Sequence, residues 1–193
     1  MQNELDIYGI FPTPIASTTI DLPDTSFITW KYETDFKQSV YTLHEIAEWK
    51  STVDTILEHA GSFLEQTGYE RRELFITQMW ANEYPPGTSI PSHVHSNSLL
   101  SGCIYFDNNS PTIFHYQRQK QMDMVQVPVS MLTPFTSETF TVEAQTGRMV
   151  LFPSSLVHSS AVSDVSRLTV SFNIMPRELG KPDGFNYVNL RNC

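Results

Sequence analysis

Six short runs rich in β-branched and aromatic residues follow one another after Arg72, and clusters of Pro, Gly, Asn and Ser separate them. The runs read ELFITQMWANEY, LSGCIYF, TIFHYQ, TFTVEAQ, RMVLFPS and RLTVSFNIM. Several short strands at this spacing in a single small domain are typical of a β-sandwich or a jelly roll with the helix packed on one outer face. The sequence therefore predicts a mainly β fold.

The part of the chain before these runs contains one clear helical pattern. Ser51 is expected to cap the start of this helix, and Gly68 is expected to end it. An earlier helical turn or two is expected around SVYTLHEIAEW, and IYGIFPTPIASTTIDL suits an edge strand because prolines interrupt it. The apolar stripe that predicts the helix consists of Val53, Ile56, Leu57, Ala60, Phe63 and Leu64.

The length of 193 residues fits one domain. Within it we expect an N-terminal strand with one or two outer helices over residues 1–72, a β core over 73–176 and a tail over 177–193.

Charge and cysteine content exclude several classes of protein. The net charge is -9 and the 12 Lys and Arg residues are scattered, which argues against binding to a nucleic-acid backbone. Cys103 and Cys193 give neither a disulfide framework nor a C-x-x-C pair. Since no stretch approaches the length of a membrane span, we expect a cytoplasmic protein with no membrane partner.

Two histidines stand one residue apart in the segment PSHVHSN. In a strand, His93 and His95 would point to the same side, as needed for two imidazoles that bind one metal ion. Their position before an apolar run predicts that they lie at the start of a strand. His158, which follows the run RMVLFPSSLV, stands in a similar setting. The remaining histidines are read as ordinary surface or core residues: His44, His59 and His115.

The run RLTVSFNI has one polar and one apolar face. Arg167, Thr169, Ser171 and Asn173 alternate with apolar residues that would pack in the core. A guanidinium followed by hydroxyls suits a bound carboxylate, because the guanidinium donates two parallel hydrogen bonds to its oxygens. A strand with one solvated face would show the same alternation, so both interpretations remain open here.

A long segment of weak periodicity, residues 117–138, separates two of the predicted strands. Such a segment can form a lid over a site or a plain surface insertion, and its length favours neither.

These features together resemble the iron(II)- and 2-oxoglutarate-dependent dioxygenases. His93, His158 and Arg167, nine residues further on, are similar to the H-x-D or H-x-E motif, distal histidine and cosubstrate arginine of that superfamily. The runs HVHSNSLLSGCIYF, FPTPI and LFPSSLVH look closest to a 2OG-Fe(II) oxygenase family of bacteria and phages. Five residues reproduce the N-x-Y-x-x-G-x-x-I-x-x-H spacing of the alkylation-repair branch: Asn82, Tyr84, Gly87, Ile90 and His93.

The resemblance implies a double-stranded β-helix (jelly roll) in which His93, His95 and His158 hold Fe(II). It also implies that 2-oxoglutarate is the cosubstrate and that its far carboxylate pairs with Arg167. The implied reaction is hydroxylation of an unknown small molecule or peptide by O2, with release of succinate and CO2. Further cosubstrate contacts would come from Asn82, Tyr84, Tyr105, Thr169 and Ser171.

One departure from the family pattern concerns the metal. His95 occupies the position of the family's carboxylate, so the ligands would be three neutral imidazoles unless an acid such as Asp107 reaches the ion. Zinc would compete well for such a site. A three-histidine zinc lyase or hydrolase, and a non-catalytic jelly-roll binding protein, are therefore the alternative functions.

Overall fold

The computed structural model describes residues 8–32, 35–116 and 128–190, which form two antiparallel sheets, a short hairpin and one α-helix. The strands are β1 (Ala16–Thr19), β2 (Trp30–Tyr32), β3 (Lys37–Ser39), β4 (Leu74–Tyr84), β5 (Leu100–Tyr105), β6 (Thr112–His115), β7 (Thr139–Val142), β8 (Arg148–Pro153), β9 (His158–Ser160), β10 (Arg167–Pro176), β11 (Glu178–Leu179) and β12 (Val188–Asn189). The helix is α1 (Lys50–Gln66). Each of the six predicted runs contains a strand, so the mainly β prediction is confirmed.

The larger sheet has seven strands in the order β1-β8-β5-β10-β4-β3-β2, and the smaller has three in the order β7-β6-β9. The central strand β10 pairs with β4 on one side and with β5 on the other. Because β10 and β4 are long and antiparallel, they place Arg167 opposite Tyr84 and Thr169 opposite Asn82. The segment that contains Asn82 and Tyr84 thus lies beside the segment that begins at Arg167.

Both faces of the larger sheet carry apolar residues, and the two faces pack against different elements. On the outer face, Val170 and Phe172 belong to one hydrophobic cluster with residues of α1. On the inner face, Phe152 of β8 meets Phe114 of β6, with ring centroids 5.0 Å apart. The smaller sheet therefore covers the inner face, which is also the side of the polar residues of β10.

Helix α1 packs its predicted apolar stripe on the core, since Ile56, Ala60 and Leu64 are buried. Gly68 follows the helix with φ of 88°, the left-handed conformation expected of a residue that terminates a helix. The predicted cap at Ser51 is wrong, because the helix begins at Lys50 after Trp49 and has no side-chain cap. The fully buried Trp49 donates its indole N–H to the Asp24 carbonyl, and this tertiary contact fixes the entry to the helix.

Two further expectations concern segments around this core. The earlier helical region exists as two single 3-10 turns, Leu43–Glu45 and Ala47–Trp49. Of the candidate lid, residues 117–127 lie outside the described residues. In the described parts of the chain, no helix has the length and apolar character needed to cross a membrane.

Candidate metal centre

A cavity of about 130 Å³ lies between the two sheets, and every site residue predicted from the sequence lines it. Two wider grooves, one along α1 and one between α1 and β1, contain none of these residues. The inner cavity is therefore the candidate site. The predicted residues that it brings together are His93, His95, His158, Arg167, Asn82, Tyr84, Tyr105, Thr169 and Ser171.

Backbone pairing places the three histidines next to one another. His93 and His158 form an isolated antiparallel bridge, with N···O distances of 2.9 Å and 3.0 Å in the two directions. The His95 amide donates to the Ser154 carbonyl at 3.0 Å. The expected strand start at the H-x-H pair is wrong, because β5 begins only at Leu100 and the pair lies in the loop before it. The bridge to His158 nevertheless holds His93 in place.

The hydrogen bonds of the imidazole rings determine which ring nitrogens can bind a metal ion. The Nδ1 atoms of His93 and His158 donate to the carbonyls of Pro91 and Leu156, both at 2.9 Å. Nδ1 of His95 donates to Oδ1 of Asn173 at 2.6 Å. In a neutral imidazole the other nitrogen, Nε2, then carries a lone pair. In its neutral form, each of the three rings therefore presents an unprotonated Nε2.

The spacing of these atoms suits a shared metal ion. One candidate ligand atom from each histidine lies within 4.8 Å of the others, and the Nε2 atoms of His93 and His95 are 3.2 Å apart. Two lone pairs at that distance repel each other unless a cation lies between them. Metal–nitrogen bonds of about 2.1 Å at a right angle give a separation of about 3.0 Å. The three histidines thus fit a divalent metal with positions left for other ligands.

Burial keeps His95 and His158 neutral. It lowers the pKa of His158 to about 4, against a partial opposing effect of the hydrogen bond to Leu156. Burial also lowers the pKa of His95, although its hydrogen bond to Asn173 acts in the opposite direction. Since only the neutral imidazole binds a metal, both rings are ready to do so at neutral pH.

Asp107, the candidate acid, forms hydrogen bonds with the backbone outside the histidine cluster. Its two carboxylate oxygens accept the backbone N–H groups of Leu168 at 2.6 Å and of Asn109 at 2.9 Å. Among the described residues, the cluster suited to a metal contains His93, His95 and His158 and no acid. The protein ligands that this site offers are therefore all uncharged.

Arg167 is a buried cation at the other end of the cavity, with 2% of its surface exposed. Nη1 donates to the Ser110 hydroxyl, and the guanidinium lies over the Tyr84 ring, 4.5 Å from its centroid. Nε and Nη2 are buried, and neither has a hydrogen-bond partner among the residues that the structure describes. Burial of this cation lowers the pKa of Arg167. Unpaired charged donors are costly in a protein interior, so this group fits a carboxylate ligand.

Neutral hydrogen-bonding groups line the wall between the histidines and Arg167. Burial raises the pKa of Tyr84 to about 12 and also raises the pKa of Tyr105, so both phenols keep their protons. The Tyr105 hydroxyl bonds to that of Thr112 at 2.5 Å. Oδ1 of Asn82 accepts from Gln38 at 3.0 Å, which leaves the Asn82 amide nitrogen as a donor.

Several cavity residues were not predicted from the sequence. Trp80 is two positions before Asn82 in β4, so strand alternation could have placed it on the same face. Gln38 and Ser110 lie in segments without a periodic pattern, and no sequence signal assigns them. The other lining residues outside the prediction are Ile90, Gly102, Cys103, Thr112, Phe152, Ser159 and Ser160.

The sequence profile of the family described as "Putative 2OG-Fe(II) oxygenase" matches residues 78–173. That range contains the three histidines, Arg167 and the remaining predicted cavity residues. The chain belongs to this family. It is therefore an Fe(II)- and 2-oxoglutarate-dependent oxygenase, as the sequence resemblance implied. No curated protein sequence matches the chain.

Solved structures of low sequence identity share the fold of this oxygenase. An oxidoreductase of the 2OG-Fe(II) oxygenase family from Burkholderia pseudomallei is 12% identical with a TM-score of 0.56, over 77% of this chain and 72% of that one. A Pseudomonas putida prolyl-4-hydroxylase is 12% identical with a TM-score of 0.54, over 86% and 94%. HygX from Streptomyces hygroscopicus, with nickel, 2-oxoglutarate and hygromycin B bound, is 10% identical with a TM-score of 0.55, over 92% of each chain. The predicted jelly roll is confirmed.

Proposed function

We propose that this oxygenase hydroxylates a C–H bond of a small molecule or a peptide side chain. In the overall reaction the substrate C–H group, O2 and 2-oxoglutarate give the C–OH product, succinate and CO2. One oxygen atom enters the substrate and the other enters succinate. The oxidative decarboxylation of 2-oxoglutarate supplies the two electrons that balance the reaction.

We assign the metal to the Nε2 atoms of His93, His95 and His158, since their lone pairs converge. When bound there, Fe(II) would supply the redox chemistry with O2 and leave positions for the cosubstrate. The three imidazoles add no charge, so the ion keeps its full charge of two. That charge equals and opposes the charge of the 2-oxoglutarate dianion, which would leave the pair neutral inside the cavity.

The proposal rests mainly on one observation, the unpaired N–H donors of the Arg167 side chain. A three-histidine site alone would equally suit a zinc hydrolase. Such an enzyme has no use for a buried guanidinium on the opposite wall of the same cavity, whereas 2-oxoglutarate has a second carboxylate to place there. Ser110 and the Tyr84 ring orient the guanidinium, so that Nε and Nη2 can donate two parallel hydrogen bonds.

The cavity wall would fix the cosubstrate between these two ends. Tyr84, Tyr105 and Asn82 act as neutral donors, and the hydroxyls of Thr169 and Ser171 line the same wall. The apolar rings of Phe114 and Phe152 pack beside them and limit the entry of water. A dry cavity strengthens each of these polar contacts.

An aromatic wall leads from the surface to the metal site and suits the approach of the substrate. The Trp80 ring lies 5.8 Å from the His95 ring, and Tyr41 lies 5.7 Å from Trp80. Tyr41 is 42% exposed, so this wall reaches solvent. The negative net charge of the chain disfavours a nucleic-acid substrate.

The test is the reaction itself. Purified protein is loaded anaerobically with Fe(II), titrated with 2-oxoglutarate by calorimetry, and then exposed to air while succinate is measured. We expect stoichiometric 2-oxoglutarate binding and slow succinate formation without added substrate, and both should be lost in His158→Ala. Protein that binds iron but neither binds 2-oxoglutarate nor forms succinate would refute the proposal.

A further inference from the structure

His95 differs from the other two histidines in the group that sets its tautomer. The Nδ1 atoms of His93 and His158 face backbone carbonyls, which can only accept a hydrogen bond. His95 faces the side-chain amide of Asn173, which accepts through Oδ1 and donates through Nδ2. The orientation of one amide thus decides whether His95 presents a lone pair or a proton to the metal.

We propose that Asn173 is a positioning residue that makes His95 a metal ligand. With Oδ1 toward the ring, Nδ1 of His95 keeps the proton and Nε2 is free to bind. With Nδ2 toward the ring, the proton would move to Nε2, and His95 would point a hydrogen at the metal and donate to Nε2 of His93, 3.2 Å away. This inference rests on the proposed function, since it needs the three-histidine site.

A buried network holds the amide in the productive orientation. Oδ1 of Asn173 also accepts from the Ser101 hydroxyl at 2.8 Å, and Ser101 in turn contacts Ser154 at 2.7 Å. Nδ2 points to the side-chain oxygen of Gln78 at 3.4 Å. Asn173 is 6% exposed and both serines are fully or almost fully buried, so water does not replace the serine contacts. Each polar atom of the Asn173 side chain therefore has a partner.

The position of Asn173 in the sheet supports this role. It is the last polar residue of the β10 face that carries Arg167, so one strand contributes Arg167 at one end of the cavity and the contact with His95 at the other. A β-bulge follows at Asn173/Ile174, where Thr77 of β4 is skipped in the pairing. Bulges change the direction of side chains and are common beside active sites. Thr77 donates its hydroxyl to the Asn173 carbonyl, a contact with the backbone and not with the Asn173 side chain.

Three variants separate this role from a purely structural one. Asn173→Asp can only accept a hydrogen bond, so it should keep or increase the affinity for Fe(II) or Co(II). Asn173→Leu cannot accept, and its metal affinity should fall roughly 10- to 100-fold, as for other groups that orient a metal ligand. Thr77→Val, the matched control at the same bulge, should stay within about twofold of wild type. If Asn173→Asp loses as much affinity as Asn173→Leu, or if Thr77→Val does, the inference is overturned.

A measurement on the metal-free wild type keeps the test independent of the variants' folding. Long-range ¹⁵N NMR spectra of the imidazole rings distinguish a protonated from an unprotonated nitrogen. We expect the His95 proton on Nδ1, and a proton on Nε2 would overturn the inference. Failure of the proposed function would look different, because wild type would then bind no metal or His158→Ala would bind it normally. If Asn173→Leu binds the metal normally and His158→Ala does not, only the proposed role of Asn173 is refuted.

Discussion

Replacing Arg167 by Met should abolish tight 2-oxoglutarate binding and leave the fold intact. Removing one partner of a buried Arg–carboxylate pair costs about 3 to 5 kcal/mol, because the remaining charge stays unpaired. At about 1.4 kcal/mol for each tenfold change, the affinity should fall between roughly a hundredfold and a few thousandfold. Fe(II) affinity should stay unchanged, since Arg167 contacts none of the three histidines.

The stability of the free protein should change much less than the affinity. The variant loses the hydrogen bond to Ser110, about 1.5 to 3 kcal/mol, and the stacking on Tyr84, about 0.5 to 2 kcal/mol. It also removes two buried donor nitrogens, Nε and Nη2, that have no partner among the described residues, and each costs about 1 to 3 kcal/mol. These contributions oppose each other, so we expect a net change within about 2 kcal/mol in the free energy of unfolding.

Calorimetry and urea unfolding under anaerobic conditions measure both effects. At a 2-oxoglutarate concentration of 100 times its Kd, wild type should gain about 2.7 kcal/mol of stability, and Arg167→Met should gain almost none. Arg177→Met is the matched control, because Arg177 also stacks on an aromatic ring, Phe75 at 3.9 Å, but does not line the cavity. An Arg167→Met protein that binds 2-oxoglutarate within tenfold of wild type would refute the assignment.

Three further predictions follow from single contacts. Ser110→Ala removes the hydroxyl that accepts from Arg167 and should weaken 2-oxoglutarate binding roughly tenfold without changing iron affinity, as calorimetry can show; an unchanged affinity would contradict that orienting role. Gly102→Ala would place a methyl group 2.4 Å from the Val150 carbonyl and from the Phe172 ring, so urea unfolding should show a loss of about 1 to 3 kcal/mol or more, and a neutral effect would contradict this packing. Burial lowers the pKa of His158 to about 4, so the unfolded chain takes up this proton first as the pH falls below about 6.5. Metal-free protein should therefore lose about 1 to 2 kcal/mol between pH 6.5 and 5, and His158→Gln should lose correspondingly less.

Local alternation in the sequence was sufficient to predict the strands and one wall of the site. The run from Arg167 to Ile174 alternates polar and apolar residues, and its two faces do point to the cavity and to the core. The same rule applied to β4 would have added Trp80 to the predicted site. The strands and this wall can be predicted because a regular strand places every second residue on the same side.

Features that depend on long-range contacts could not be predicted in this way. His93 is held by a bridge to His158, 65 positions away, and no local pattern shows such a pairing. The start of α1 is fixed by the buried Trp49 and not by Ser51, because a tertiary contact outweighs a local capping preference. The sequence pattern places Asn173 on a polar face, but its contact with His95 forms only in the folded chain.

The most direct test of the central claim is an anaerobic crystal structure of the protein with Fe(II) and 2-oxoglutarate. We predict one metal ion bound by Nε2 of His93, His95 and His158, with 2-oxoglutarate extending from it to Nε and Nη2 of Arg167. A metal bound without His158, or a cosubstrate whose far carboxylate leaves both of these Arg167 nitrogens unpaired, would contradict the account.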